Sequence, residues 1–282
     1  MRDAATVMLV RDNPTLEVFM LRRNPRAVFG PGAYVFPGGG VDIADDQVPT
    51  SGRARAVTDR LMSRDNALRW WAAAAREAFE EAGFLLANGV HHREFDAHRN
   101  ALNAGEQSFK EILNALGTSV AANEMHLFSH WLTPPGQPRR YDTWFLVAAA
   151  PEHQIGAHDN SETVASEWVR PIEMVERWRR DEIDLIFPTM RTLLVMSEFD
   201  SSEELLGVVR AREADGSQSE GTPLLIDDAS GERIAMTAEE CAVARRGWRN
   251  LEPSIELDGA HMLRDYEHRG ISDEVLEDSG AA

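Results

Sequence analysis

The run Arg76-Glu77-Ala78-Phe79-Glu80-Glu81-Ala82-Gly83-Phe84 constrains this chain more than any other segment. It sets three carboxylates at i, i+3 and i+4, which on a helix share one face. Like charges stacked this way repel, so a helix gains from them only when something positive sits among them. Clustered hard oxygen donors suit Mg²⁺ or Mn²⁺. Gly83 is placed to end the helix in the left-handed conformation. An isolated Glu-x-x-Glu-Glu is equally well explained by a solvated acidic face. Two features weigh against that here. The five specified positions recur by chance on the order of 10⁻⁶ to 10⁻⁵ per start at ordinary residue usage. Upstream, Phe36-Pro37-Gly38-Gly39-Gly40 follows a short strand-like stretch, Ala33-Tyr34-Val35.

Together these residues resemble the box of the Nudix hydrolase family, G-x5-E-x7-R-E-U-x-E-E-x-G-U with U apolar. Gly39 takes the box glycine. Arg76, Glu77, Glu80, Glu81 and Gly83 take the second half, with Ala78 and Phe84 at its apolar positions. The first half departs from the pattern. Gly39 and Arg76 are 37 positions apart instead of 14, which leaves 23 extra residues inside the box. Eight positions before Arg76, where the family has glutamate, stands Leu68. The inserted stretch 41–66 offers Asp42, Asp45, Asp46, Asp59 and Asp65, and none is read as filling that place.

The resemblance implies an enzyme that hydrolyses a nucleoside diphosphate linked to another group. Glu77, Glu80 and Glu81, with the carbonyl of Gly39, are then the expected ligands of Mg²⁺ or Mn²⁺, and Arg76 the residue that holds a helix carboxylate in place. The family's general base can be a helix glutamate or an acid on a loop before the last strand. Asp159, Glu162 and Glu167 occupy that region, and Glu162 is the choice among them.

Within the family the chain looks most like the coenzyme A and acyl-CoA diphosphatase branch of peroxisomal type. The likeness rests on Phe29 to Gly39, on the insertion, and on Phe128-Ser129-His130-Trp131-Leu132-Thr133-Pro134-Pro135. Coenzyme A carries a 3′-phosphate that needs a cationic partner, and Arg23, Arg26, Arg139 and Arg140 are the candidates. Each taken singly also fits a solvated surface arginine. Trp131, Tyr141 and Trp144 could stack on adenine, although their alternation along strands points to the core. Two alternatives stand beside this reading. One is a pyrophosphatase acting on ADP-ribose or a dinucleotide such as NADH. The other is a non-catalytic Nudix-fold module that binds a ligand.

Local patterns predict the frame. Residues 4–10 and 16–22 read as strands around the Arg11-Asp12-Asn13-Pro14 turn. Residues 67–82 read as the box helix, 41–66 as a loop with a helical turn, and 125–132 and 141–149 as two more strands. A last strand at 167–170 leads into a helix that Pro171 opens, with helices at 188–199 and 202–212. This order suggests an α/β fold, an α/β/α sandwich with a mixed sheet. The resemblance covers about residues 1–200 as a Nudix domain, leaving 201–282 as a C-terminal helical or irregular extension. That extension could pad the sandwich, cap the site or form a homodimer interface.

The formal net charge of −18 argues against a partner with a nucleic-acid backbone, but not against a small polyphosphate, since divalent ions bridge carboxylates to phosphates. No apolar run approaches a membrane span. The single cysteine, Cys241, allows no internal disulfide. A cytoplasmic enzyme acting on a small nucleoside diphosphate derivative is the expectation. His91, His92 and His98 match no metal-ligand spacing.

Overall fold

The computed structural model describes residues 1–27, 30–90, 95–132, 140–159, 162–215, 234–235 and 256–257. The chain opens with β1 (Arg2–Asp12) and β2 (Leu16–Arg23), then β3 (Tyr34–Val35) and β4 (Gly38–Gly40). The glycine turn is thus itself a strand. It pairs antiparallel with β1, Ala5 opposite Gly39. Farther along come β7 (Met125–Leu132), β8 (Tyr141–Ala149) and β9 (Thr163–Val169). These seven strands form one sheet in the order β3-β2-β1-β8-β7, with β4 added to β1 and β9 to β2. Only β1 and β8 run parallel; the other pairs are antiparallel.

β1 is apolar from Val7 to Val10 because both its faces are covered there. Ala5, Val7 and Leu9 point into one core, which holds the helix α2 (Leu68–Ala82). Met8 and Val10 point into the other, with α5 (Pro171–Arg179), α6 (Phe187–Met196) and α7 (Ser202–Asp215). The result is the expected α/β/α sandwich. Twelve of the fifteen α2 residues are buried. Its alanines 72–75 and Ala78 let the helix lie close to the sheet, and Trp71 Nε1 donates to the Met125 carbonyl at 2.8 Å.

The inserted stretch is more regular than a loop. It contains a 3₁₀ turn (Ile43–Gln47), then β5 (Thr50–Ser51), which pairs in parallel with β6 (Val120–Ala121), and then α1 (Arg55–Met62). Its polarity hid this order, because side chains from elsewhere supply its partners. Arg64 reaches Asp3 at 3.0 Å and Asp142 at 2.7 Å. Arg53 donates to the carbonyls of Ala122 and Met125 and pairs with Glu213 of α7 at 2.9 Å.

α7 begins in the stretch read from sequence as an extension, yet Leu205, Leu206 and Val209 join the core of the sandwich. Glu213 also accepts from the backbone N–H of Leu127 and bonds His126 Nδ1, both at 2.8 Å. Beyond it, a pairing of β10 (Ile234–Ala235) with β11 (Glu256–Leu257) is described.

Candidate active site

α2 carries the site at its C-terminal end. Gly83 adopts φ 76°, and the N–H groups of Gly83 and Phe84 return to the carbonyls of Phe79 and Ala78. That is a left-handed stop of the αL type, and a residue with a Cβ is strained there. Of the two glycines facing this end, Gly39 leaves room for an acid and Gly38 lets its strand lie close against β1. A Cβ on Gly39 would stand 2.6 Å from the Glu77 carboxylate, and one on Gly38 would meet Thr6 and Ala5 at the same distance. The Gly38 N–H donates to Glu81 Oε2 at 3.0 Å.

Arg76 lies at the centre. Its Nη1 donates to Glu77 Oε1 at 2.9 Å and to Glu80 Oε2 at 3.1 Å. Its Nε and Nη2 grip both oxygens of Asp45, at 2.9 and 3.1 Å, and Nη2 also donates to the Gly40 carbonyl. This fork is the geometry that only a guanidinium supplies. Although burial opposes it, the carboxylates around it hold the Arg76 pKa above its ordinary value.

Asp45 corrects the reading of the inserted acids. It is 2% exposed, and its Oδ2 accepts from the Asp42 N–H. Counted back from Arg76, Leu68 takes the glutamate position, and Leu68 is a buried core residue. Counted forward from Gly39, the glutamate position of the box is residue 45. The extra residues therefore follow the acid instead of preceding it. The forward count was the signal that could have found it.

The carboxylates are poor anions in this setting. Burial, then Glu80 and Asp45, pushes Glu77 up to about 7 against the pull of Arg76. Burial, then Glu77, pushes Glu81 up to about 8, with the Gly38 N–H and Arg23 opposing. Glu80 is raised as well, chiefly by burial. Among the described residues, no three acidic, histidine or cysteine side chains stand together as a metal-holding group. Arg76 takes the carboxylates of Glu77 and Glu80, and the Gly38 N–H takes that of Glu81. The donors are nonetheless of the right kind for a divalent cation: hard oxygens whose crowded charge lacks a full counterion.

The other candidates are distributed unevenly. Glu162 is exposed, and its charge is felt at both Glu80 and Glu81. Arg23, at the end of β2, lies within electrostatic reach of Glu81. Arg26 is exposed on the turn after β2. Arg140 precedes β8 on the opposite edge of β1 from the glycine strand, its carbonyl accepting from the Arg2 N–H. Arg139, His91, His92 and Cys241 lie outside the described residues. Trp131 is buried in the core, and the Trp144 ring is stacked by His130 at 4.0 Å.

A model of the NUDT19 Nudix domain matches residues 47–196, a stretch that holds Arg76, Glu77, Glu80 and Glu81. The protein named acyl-coenzyme A diphosphatase NUDT19 from Gallus gallus is 31% identical over 268 residues, covering 72% of this chain and 70% of that protein. The protein of the same name from Homo sapiens is 26% identical, covering 67% and 62%. A crystal structure of a NUDIX hydrolase from Alicyclobacillus acidocaldarius superposes with a TM-score of 0.62 at 26% identity, over 73% of this chain and 96% of that one. The chain belongs to the Nudix hydrolase family, as a member with a NUDT19-type Nudix domain. Enzymes of this family cleave diphosphate linkages and generally use divalent cations. No helix among the described residues is long and apolar enough to cross a membrane.

Two outcomes follow from this arrangement. Asp45→Asn leaves Arg76 buried without its full counter-charge, and should lower the unfolding free energy in urea by about 3 kcal/mol. A loss below about 0.5 kcal/mol, within the range of an exposed pair, would show that the pair is not structural. The second concerns pH, in buffer freed of divalent ions. The folded pKa of Glu81, about 8, exceeds its reference value of 4.5. Its contribution to stability is therefore complete below the reference value and is lost as pH rises through the folded one. Glu81→Gln lacks this loss. The stability of Glu81→Gln relative to the parent should rise between pH 5 and pH 8, by on the order of 3 kcal/mol; parallel pH profiles would contradict the burial of this charge.

Proposed function

We propose that this chain hydrolyses CoA or acyl-CoA to adenosine 3′,5′-bisphosphate and phosphopantetheine or its acyl form. The observation that carries the reading is the acid cluster of α2 facing the glycine strand, in a chain whose relatives bear the name acyl-coenzyme A diphosphatase. Glu77, Glu80 and Glu81, with the Gly39 carbonyl, would hold Mg²⁺ or Mn²⁺. When bound, such an ion neutralises phosphate charge and lowers the pKa of attacking water.

The chain's own residues set the rest. Arg76 fixes the carboxylates of Glu77 and Glu80, Asp45 fixes Arg76, and the Gly38 N–H fixes Glu81. Glu162 is our candidate for the proton acceptor. Its backbone is held on both sides: its carbonyl accepts from the Asn24 N–H at 2.9 Å, and its N–H donates to Asp159 Oδ2 at 3.1 Å. Its side chain is exposed, and its charge is felt at Glu80 and Glu81. Arg23 and Arg26, with Arg139 and Arg140, are our candidates for the anionic end of the substrate. Arg23 has the strongest support, since its charge is felt at Glu81. A lone cysteine in 282 residues supports a reducing compartment such as the cytoplasm.

Product analysis tests the reading. CoA, an acyl-CoA, dephospho-CoA, ADP-ribose and NADH are each incubated with the protein and Mg²⁺ or Mn²⁺, and the products are weighed by mass spectrometry. Adenosine 3′,5′-bisphosphate from CoA, with dephospho-CoA reacting poorly, is the expected outcome. AMP from ADP-ribose or NADH instead would move the substrate, and no product from any would defeat the catalytic reading. Glu80→Gln should remove at least 99% of turnover, about 3 kcal/mol of transition-state stabilisation, while leaving the circular dichroism spectrum unchanged. For Glu162, the pH dependence of kcat/KM should lose its acidic limb in Glu162→Ala; a profile of unchanged shape would assign the base elsewhere.

A further inference from the structure

We propose that Arg99 is a positioning residue for this site: it holds the backbone of Glu80 and Glu81, and so sets where their carboxylates stand. The inference rests on the metal-dependent reading above. Arg99 belongs to α3 (Asp96–Asn103), outside the box, and no box position points to it. It is 9% exposed. Its Nε donates to the Glu80 carbonyl at 3.0 Å and its Nη2 to the Glu81 carbonyl at 2.7 Å.

The end of a helix leaves four carbonyls without partners in the helix. On α2 the donors are divided by residue. Phe79 is served by the Gly83 N–H, and Ala82 by the Ala157 N–H at 2.9 Å. Glu80 and Glu81 are served by the two arms of one guanidinium, with Asn103 Nδ2 adding a longer bond of 3.3 Å to Glu80. These are the two residues at the end of the helix whose carboxylates face Gly38–Gly40 and Arg76. Rotation of either peptide swings the carboxylate attached to it. Glu77 lies a turn earlier, inside the regular hydrogen-bond ladder, and does not depend on Arg99.

The fit around the guanidinium is close. A Cβ on Gly83 would stand 3.1 Å from Arg99 Nη1, so the stop glycine also makes room for the arginine. The charge lies at the negative end of the helix dipole, where a cation is favoured. Lysine would offer a single nitrogen as a point donor, without the rigid planar fork that here spans the two carbonyls.

The test compares the parent with Arg99→Met and Arg99→Lys, using readouts besides turnover. Direct Mn²⁺ binding, followed by the electron paramagnetic resonance signal of free Mn²⁺, should weaken by 10- to 100-fold in Arg99→Met, the range for residues that orient metal ligands. Arg99→Lys should recover part of that loss. Hydrogen exchange should quicken at the amides of Gly83 and Phe84, and not in the first turn of α2. Val209→Ala, in the opposite core, controls for a general loss of stability and should keep parental Mn²⁺ affinity. Mn²⁺ affinity within twofold of the parent in Arg99→Met, or unchanged exchange at the end of α2, would overturn the proposal. Should Arg99→Met not fold, Arg99→Lys carries the same two readouts. A parent that binds no Mn²⁺ would refute the functional reading instead, and the exchange result then decides the role of Arg99 alone.

Discussion

Everything at this site depends on keeping charged carboxylates at the end of a helix that is otherwise buried. An isolated carboxylate in such a place would take up a proton sooner than stay ionised. Arg76 meets the difficulty only in part. One of its nitrogens is shared by Glu77 and Glu80, while its other edge is committed to Asp45 and the Gly40 carbonyl. Glu81, the most strongly raised of the three, has the Gly38 N–H as its direct partner among the described residues. The cluster is therefore organised but under-neutralised. That is the state expected of a site whose chemistry brings in further positive charge.

Precision then falls to the backbone. The glycine strand is fixed by pairing with β1, where Cβ atoms would collide with Thr6 and with the Glu77 carboxylate. The segment beyond the helix is held by the 150s loop: Gln154 makes a pair of bonds to the Leu85 backbone, and the Ala157 N–H takes the Ala82 carbonyl. Sheet edge, α3 and this loop come from three separate parts of the chain. They converge on one helical turn, which is how a short motif acquires a rigid frame.

What could be read from the sequence follows from range. The helix over 67–82, its acids and its glycine stop are local, and the helix is observed at Leu68–Ala82. Strands 125–132 and 141–149 were likewise legible from local pattern. Asp45 was missed because an insertion breaks the register, and counting from one side finds only half the box. Arg99 and the Arg53–Glu213 pair carry no local signal at all; an arginine that fills a buried cap 18 residues away looks like any other. Substrate specificity is hidden for the same reason. The arginine candidates are scattered from Arg23 to Arg140, and only in the folded chain is the charge of Arg23 felt at Glu81.

The place of the insertion is itself a physical choice. The family spacing leaves seven residues between the acid and the arginine, and here there are 30. Closing the longer loop costs roughly 1 kcal/mol more by chain entropy, less than the worth of one buried ion pair. Extra chain is therefore tolerated after Asp45, provided the Asp45–Arg76 contact survives. It would be poorly tolerated between Gly39 and Asp45, where a short segment links the glycine strand to the acid and carries the carbonyl of Gly40 to Arg76. The inserted segment offsets part of its cost through β5, α1 and the ion pairs of Arg53 and Arg64 to distant strands and helices. It can thus be long and polar without loosening the site that it interrupts.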